Sequence, residues 1–320
     1  MKRSNFILLI ISVLIFYFNS ESKTTDNSKE VSISILMLDV IKIDDANQRS
    51  TIDFVVRLNW EDKELTNKWK EKRLVSKDEI WTPEIQIFNE YSLEKKLKDQ
   101  FEVSPGGSVL YRQRFVGEIN LKHNFSEFPL DDAIVKIQII SIVPDMFFLE
   151  KKDSIEVEPS GYSISGWKIH NEWMEIILND ERFRNLPNIT YFISAERKIN
   201  YYIWKIIIPL ALIVFMSWLV FWVDPIHIGA QLTVGATAML TIIAYQFTLS
   251  ELIPPISYLT RLDVFILGSN IIVFLALLEA ILTSNLVSQE KKSIARKVDY
   301  FARFIFPVAY AAVLIKSFWI

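Results

Sequence analysis

The chain has 320 residues, a net charge of -3, a hydrophobic fraction of 51% and no cysteine. That length allows two domains, the apolar fraction exceeds what a soluble protein needs, and the charge speaks against the clustered positive surface of a nucleic-acid partner. Without cysteine there are no disulfides, thiol catalysis or cysteine-ligated metal clusters. His123, His170 and His227 form no catalytic or metal-ligand constellation, so neither enzyme activity nor a cofactor is expected, and each histidine is expected on a surface or near an interface.

At the N-terminus Lys2 and Arg3 precede an apolar stretch from Phe6 to Phe18, and Ser20-Glu21-Ser22 offers small residues for cleavage. Residues 1–22 therefore read as a secretory signal; a membrane anchor is the alternative, although the stretch is short for a bilayer span. From Val31 apolar residues fall two apart, as in Val31, Ile33, Ile35 and in Ile52, Phe54, Val56, Leu58, the period of half-buried strands. Similar segments recur at Glu84 to Phe88, Val109 to Phe115, Ile134 to Ile142 and Thr190 to Ile199. Turn signals at Asp44 to Asn47, Ser104 to Gly107, Pro129 to Asp132 and Pro159 to Gly161 separate them. The pattern predicts an all-β, immunoglobulin-like sandwich over residues 23–201. Only Leu65 to Leu74 offers a helical period.

Four apolar stretches follow within residues 202–320, at about 202–223, 229–249, 262–287 and 300–320, each long enough to cross a bilayer as a helix. Lys291, Lys292, Arg296 and Lys297 lie between the third and fourth, which places that connection in the cytoplasm and the N-terminal domain outside. The second helix has many polar residues for a lipid-facing span. Steps of four and three join Thr233, Thr237, Leu240, Ala244, Phe247 and Glu251 into one stripe, hydroxyl at its inner end, bulky and apolar in the middle, acidic at its outer end. Two readings stand at this point: a helix packing face, or the wall of a pore in which hydroxyl rings hydrate an ion and Leu240 and Phe247 close the path by dewetting. The pore reading requires an oligomer, because one stripe cannot enclose a conduit.

From about Val31 onward the chain resembles the pentameric ligand-gated ion channels, or Cys-loop receptors, and their bacterial members in particular. Trp60-Glu61-Asp62, Trp81-Thr82-Pro83-Glu84 with Asn89, and Phe128-Pro129-Leu130-Asp131 are similar to its motifs in the second strand, the first ligand-binding loop and the signature loop. Leu121 and Val135, with 13 residues between them, stand where animal receptors carry two cysteines. Arg197, Tyr201-Tyr202 and Pro209 resemble the start of the first membrane helix, and Pro254 the proline after the pore helix. The resemblance implies a homopentamer around a central pore in the cell membrane, a bacterial inner membrane, with its N-terminal domain extracellular or periplasmic. Its partners would be the lipid bilayer, permeant inorganic ions and a small-molecule or proton agonist bound between neighbouring extracellular domains. It further implies coupling of agonist to pore through Asp44 or Asp45, Phe128, Pro129, Asp131, Arg197 and Pro254, with Arg197 paired to one or more of the carboxylates.

The ligand-binding positions implied by the resemblance are Phe88, Ile142, Leu186 and Val55, with Phe183 nearby and Arg57 on the strand of Val55. Only Phe88 keeps the aromatic character of an amine cage. Gln48 and Arg49 stand where a proton-gated relative would carry a glutamate, and Ile242 where it would carry a histidine. Glu251 favours cations at the outer mouth, whereas anion channels carry an arginine step that Gly229-Ala230-Gln231 lacks. Glu279, a lone acid in the third helix, is expected to snorkel to the cytoplasmic edge. A cation-selective channel is thus the expected function; an anion-selective or pH-gated channel of the same fold, or a membrane-anchored sensor or adhesion protein without conduction, are the alternatives.

Overall fold

Strict alternation in the first half of the chain produces strands with one dry face. The computed structural model describes residues 28–151, 161–177, 181–224 and 226–319. The expected signal segment, Pro159 and Ser160 lie outside them. Eleven described strands form: β1 Lys29–Asp44, β2 Arg49–Glu61, β3 Arg73–Val75, β4 Ile85–Ile87, β5 Glu90–Lys95, β6 Phe101–Val103, β7 Ser108–Asn120, β8 Asp132–Ser141, β9 Met146–Glu150, β10 Trp167–Ile177 and β11 Asn188–Arg197. A seven-stranded sheet runs β3-β6-β7-β2-β1-β9, with β5 also on β7, and a four-stranded sheet runs β10-β11-β8-β4. The alternate residues Val31 and Ile33 of β1, Phe54, Val56 and Leu58 of β2, and Val135, Ile137 and Ile139 of β8 join one hydrophobic cluster, which makes a sandwich. Leu121 and Val135 are both buried in it, so at the positions implied for the two cysteines the loop is anchored by apolar packing.

Local physics decides the departures from expectation. Leu65 to Leu74 is not a helix: Asp62 caps a single tight turn, Lys63–Leu65, by accepting from the Glu64 N–H, and the chain then enters β3. Leu65 and Val75 are buried while Leu74 is exposed, so the segment has no continuous apolar stripe to bury. Strand β10 escaped the period-two reading because its register shifts between Ile169 and Asn171 and its middle is half-exposed. In β7, Gly117 sits at a positive φ of 146° against β5; a Cβ there would lie 1.9 Å from the Ser92 carbonyl oxygen, so only glycine permits this pairing.

The apolar half forms α1 Asn200–Trp222, α2 Ile228–Leu249, α3 Arg261–Ser288 and α4 Lys292–Phe318, each long and apolar enough to cross a membrane. The fourth begins eight residues before the expected 300, because the charged segment from Lys292 continues the helix beyond its apolar part. Helix α2 packs against α1 and α3, and α4 packs mainly on α3. Two prolines interrupt these helices, and each removes the N–H that would bond the carbonyl four residues earlier. For Pro209 that carbonyl is Lys205, and the Tyr245 hydroxyl of α2 donates to it at 2.6 Å; α1 widens into a π-helical turn over Ile203–Ile207. For Pro307 it is Arg303, and the Trp218 indole N–H of α1 donates to it at 3.1 Å. A neighbouring helix thus supplies what each proline takes away, as hydrocarbon requires.

Glu279 does not snorkel. Both of its carboxylate oxygens are buried and face Asp299 at the start of α4, so the acid points into the helix bundle.

Candidate functional site

The last residue of β11, Arg197, is carried to the lower end of the sandwich where the chain turns into α1. Its side chain is 2% exposed. The guanidinium donates from Nε to Asp131 Oδ1 at 2.7 Å and from Nη2 to Asp131 Oδ2 at 2.8 Å, a bidentate fork. From Nη1 it donates to Asp45 Oδ2 at 2.5 Å and to the Tyr202 hydroxyl at 2.9 Å. Trp167, its partner in the β10–β11 register, lies under the guanidinium at 4.1 Å, and Phe128 at 4.8 Å. Burial alone would weaken the cation's hold on its proton, but the Asp131 and Asp45 carboxylates outweigh it and hold Arg197 charged, well above the ordinary arginine value.

Two of the expected carboxylates converge on Arg197 and one does not. Asp44 turns away: it accepts from Lys42 at 2.5 Å and from the Asn47 N–H at 3.0 Å, tying the β1–β2 turn. Asp131 has a further partner that the sequence reading left on a surface or near an interface. His123 is buried, with Nε2 against Asp131 Oδ2 and its ring edge-on to Phe125 at 4.5 Å. Desolvation pushes the Asp131 carboxyl up, yet the hydrogen bonds and charges of His123 and Arg197 prevail and hold it below the usual range. The signal for His123 in the sequence was faint, a histidine beside a buried aromatic in the loop that ends in Asp131.

The same loop touches the membrane helices. Arg261 N–H donates to Ser126 O at 3.2 Å and Leu262 N–H donates to Phe128 O at 3.1 Å, so the first turn of α3 spends its unpaired N–H groups on the loop. The Phe125 N–H donates to the Tyr258 hydroxyl at 3.0 Å, and Arg261 pairs with Glu127 at 2.5 Å. Phe128 is buried edge-on to Tyr202 at 5.1 Å, and Pro129 is buried beside it. Pro254 is half-buried in the α2–α3 connection, with no direct contact to Arg197 among the described hydrogen bonds and ring contacts. One buried arginine and one loop thereby tie the β1–β2 turn, β11 and the start of α1 to the start of α3.

Along α2 the stripe is open in the single chain. Thr233, Thr237, Leu240, Ala244 and Phe247 are exposed, Leu240 by 68% and Phe247 by 72%, whereas Gln231, Gly235, Ala238, Ile242 and Leu249 are buried against the same chain. Glu251 is exposed too, but in the turn just beyond the helix. The packing face of α2 is therefore the opposite one. Thr233 donates to Gly229 O at 2.7 Å, so its hydroxyl keeps its acceptor lone pairs outward.

The ligand-binding candidates divide between the two sheets. Phe88, just after β4, is 57% exposed and meets the buried Phe183 edge to face at 4.7 Å; Ile142 is exposed just after β8 and Leu186 half-buried just before β11, all adjoining strands of the four-stranded sheet. Val55 and Arg57 are half-buried on β2 in the seven-stranded sheet, apart from the other candidates.

A model of the neurotransmitter-gated ion-channel ligand binding domain matches residues 10–199, and one of the neurotransmitter-gated ion-channel transmembrane region matches residues 206–299. The chain is similar to gamma-aminobutyric acid receptor subunit beta-4 of Gallus gallus, 26% identical over 271 residues that cover 79% of this chain and 54% of that protein. It is also similar to a glutamate-gated chloride channel of Drosophila melanogaster, 25% identical over 295 residues that cover 85% of this chain and 64% of that protein. The chain thus spans between half and two thirds of the length of these curated relatives.

Proposed function

Because the chain belongs to the neurotransmitter-gated ion-channel family, we propose that it is one subunit of a homopentameric channel in the cell membrane, opened by a small molecule bound between neighbouring extracellular domains. The observation that carries this reading is the α2 stripe: it is the face that its own subunit leaves uncovered, and its hydroxyl, apolar and acidic zones are those a gated water path needs. Five copies around an axis turn Thr233 and Thr237 into hydroxyl rings at the inner end and Leu240 and Phe247 into constrictions. Agonist binding shifts the closed-open equilibrium only by its differential affinity for the two states. The Arg197 cluster is the element through which that difference reaches the pore, since it joins the agonist-binding sandwich to α1 and, through the signature loop, to α3.

For selectivity we favour cations, on the five acids that Glu251 contributes at the outer mouth. The second reading, anion selectivity, rests on the chloride-channel relative. Recording the reconstituted protein in asymmetric potassium chloride tests both. A reversal potential near the potassium equilibrium value, reduced in Glu251→Gln, is the expected result; one near the chloride value would transfer the assignment to anions, and the absence of any current across a screen of pH, small amines and small acids would reject the channel.

A further inference from the structure

Three carboxylate oxygens inside the helix bundle have no hydrogen-bond donor among the described residues: Oε1 and Oε2 of Glu279 in α3, and Oδ1 of Asp299 in α4. Asp299 is 2% exposed, and the two carboxyl groups lie within hydrogen-bond reach of each other. They sit toward the end of the bundle where α3 gives way to α4, roughly 14 Å along its helix from Ser288 for Glu279 and roughly 10 Å from Lys292 for Asp299. The donors nearby are spent elsewhere. Arg303, one turn beyond Asp299, donates from Nε to the Phe221 carbonyl at 2.9 Å and lies over Trp222 at 4.6 Å, so it acts on Asp299 by charge alone. Arg296 pairs at 3.2 Å with Asp224 of the α1–α2 connection, where His227 is exposed, and Lys292 and Lys297 at the start of α4 are exposed as well. Within α3, Thr283 donates its hydroxyl to the Glu279 backbone carbonyl at 3.0 Å and not to the carboxylate; on α2, Gln231 donates to the Val223 carbonyl at 2.9 Å.

Two carboxylates this close, away from water and without a donor, cannot both carry charge, whereas one proton between them turns two repelling acceptors into a hydrogen bond. A metal ion needs more ligands than the pair offers, and among the described residues no group of three or more acids and histidines gathers. We propose that Glu279 and Asp299 form a proton-binding site that clamps α4 to α3: one proton bridges the two carboxyl groups, and its release to water at that end of the bundle sets like charges against each other and loosens the helix pair. The clamp sits where it has most effect, since α4 packs mainly on α3. It belongs to the helix bundle and does not depend on conduction. The folded chain holds a proton that ordinary carboxylates of the unfolded chain give up at neutral pH, so the site contributes stability that is lost as the pH rises.

The test is infrared difference spectroscopy of the detergent-solubilised full chain, in light and heavy water, on the wild type, Glu279→Gln and Asp299→Asn, with thermal unfolding followed from neutral to alkaline pH alongside. The expected result at neutral pH is a protonated-carboxyl stretch that shifts in heavy water and is lost in each single variant, because either amide supplies the donor that the remaining carboxylate lacks. The same band fades as the pH rises, and the wild-type unfolding midpoint falls over that range relative to both variants. A band removed by one variant and kept in the other would put the proton on one acid alone, no such band at neutral pH would mean two ionised carboxylates, and parallel unfolding curves would deny the clamp; each overturns the proposal. The wild-type band and its pH course need no variant, so the test stands even where a substitution prevents folding.

Discussion

Arg197 sits where three requirements meet: a cation for Asp131, a cation for Asp45, and a flat group between Trp167 and Phe128. Removing it leaves the buried Asp131 with His123 alone and takes the cation from the half-buried Asp45, and breaking a buried pair in this way costs about 3–5 kcal/mol. Arg197→Glu with surface expression intact is expected to abolish agonist-evoked current; unchanged current would reject the coupling role. Arg197→Lys is not a conservative change, because a lysine cannot reproduce the fork on Asp131. His123 gives a separate handle through pH. Asp131 is held below its usual range, so its stabilisation is complete above the unfolded carboxylate value of about 3.9 and fades as the pH falls through its lowered native value. His123→Gln removes one of the groups that depress it, so the acid limb of the unfolding curve should move to higher pH; an unmoved limb would mean that Arg197 alone sets the Asp131 value. Arg197, Asp131 and Asp45 were readable from motif order, since each stands at a punctuated turn or at the end of a strand. His123 was not, because a lone histidine in a loop shows no spacing that announces burial.

Two membrane helices, α1 and α4, are each completed by a neighbour. The hydroxyl of Tyr245 and the indole N–H of Trp218 answer the two carbonyls that Pro209 and Pro307 leave short of a helical partner, so these contacts are conditions for the helices as well as packing between them. Tyr245→Phe keeps the ring and removes the donor, while Trp218→Phe removes the donor along with part of the indole, and each should cost about 1–3 kcal/mol, the penalty of a carbonyl left without a partner in a helix surrounded by hydrocarbon. Thermal unfolding in detergent measures it, and wild-type midpoints for both would refute the pairing. Close packing sets a second limit: a Cβ on Gly268 would come within 2.5 Å of Val313, so α3 and α4 separate in Gly268→Val. The period-two strands and the four spans were legible because burial on one face, or in lipid, imposes a pattern along the chain. Strand β10, with its register shift, and the π-helical turn before Pro209 were not, because both are irregularities whose compensation comes from residues far away in sequence. Glu279 misled for a related reason: its partner Asp299 lies on another helix, beyond the reach of any local reading.

At the scale of the whole molecule a sandwich and a membrane bundle meet through one loop and one arginine, and in the proposed channel both the ligand and the conduit belong to more than one subunit. The candidate ligand positions are split between the sheets, and the stripe on α2 finds no cover among the described residues of its own chain. The chain contains no cysteine, so single cysteines can be introduced against a silent background. The central claim is that the face running from Thr233 to Glu251 borders water. Cysteines placed at Thr233, Thr237 and Ala244, with Leu267 and Phe274, exposed on α3, as controls, should be treated with a charged methanethiosulfonate while agonist-evoked current is recorded. Rapid modification that blocks current at the three α2 positions and none at the two controls is the expected result; inert α2 positions in a conducting channel would contradict the account.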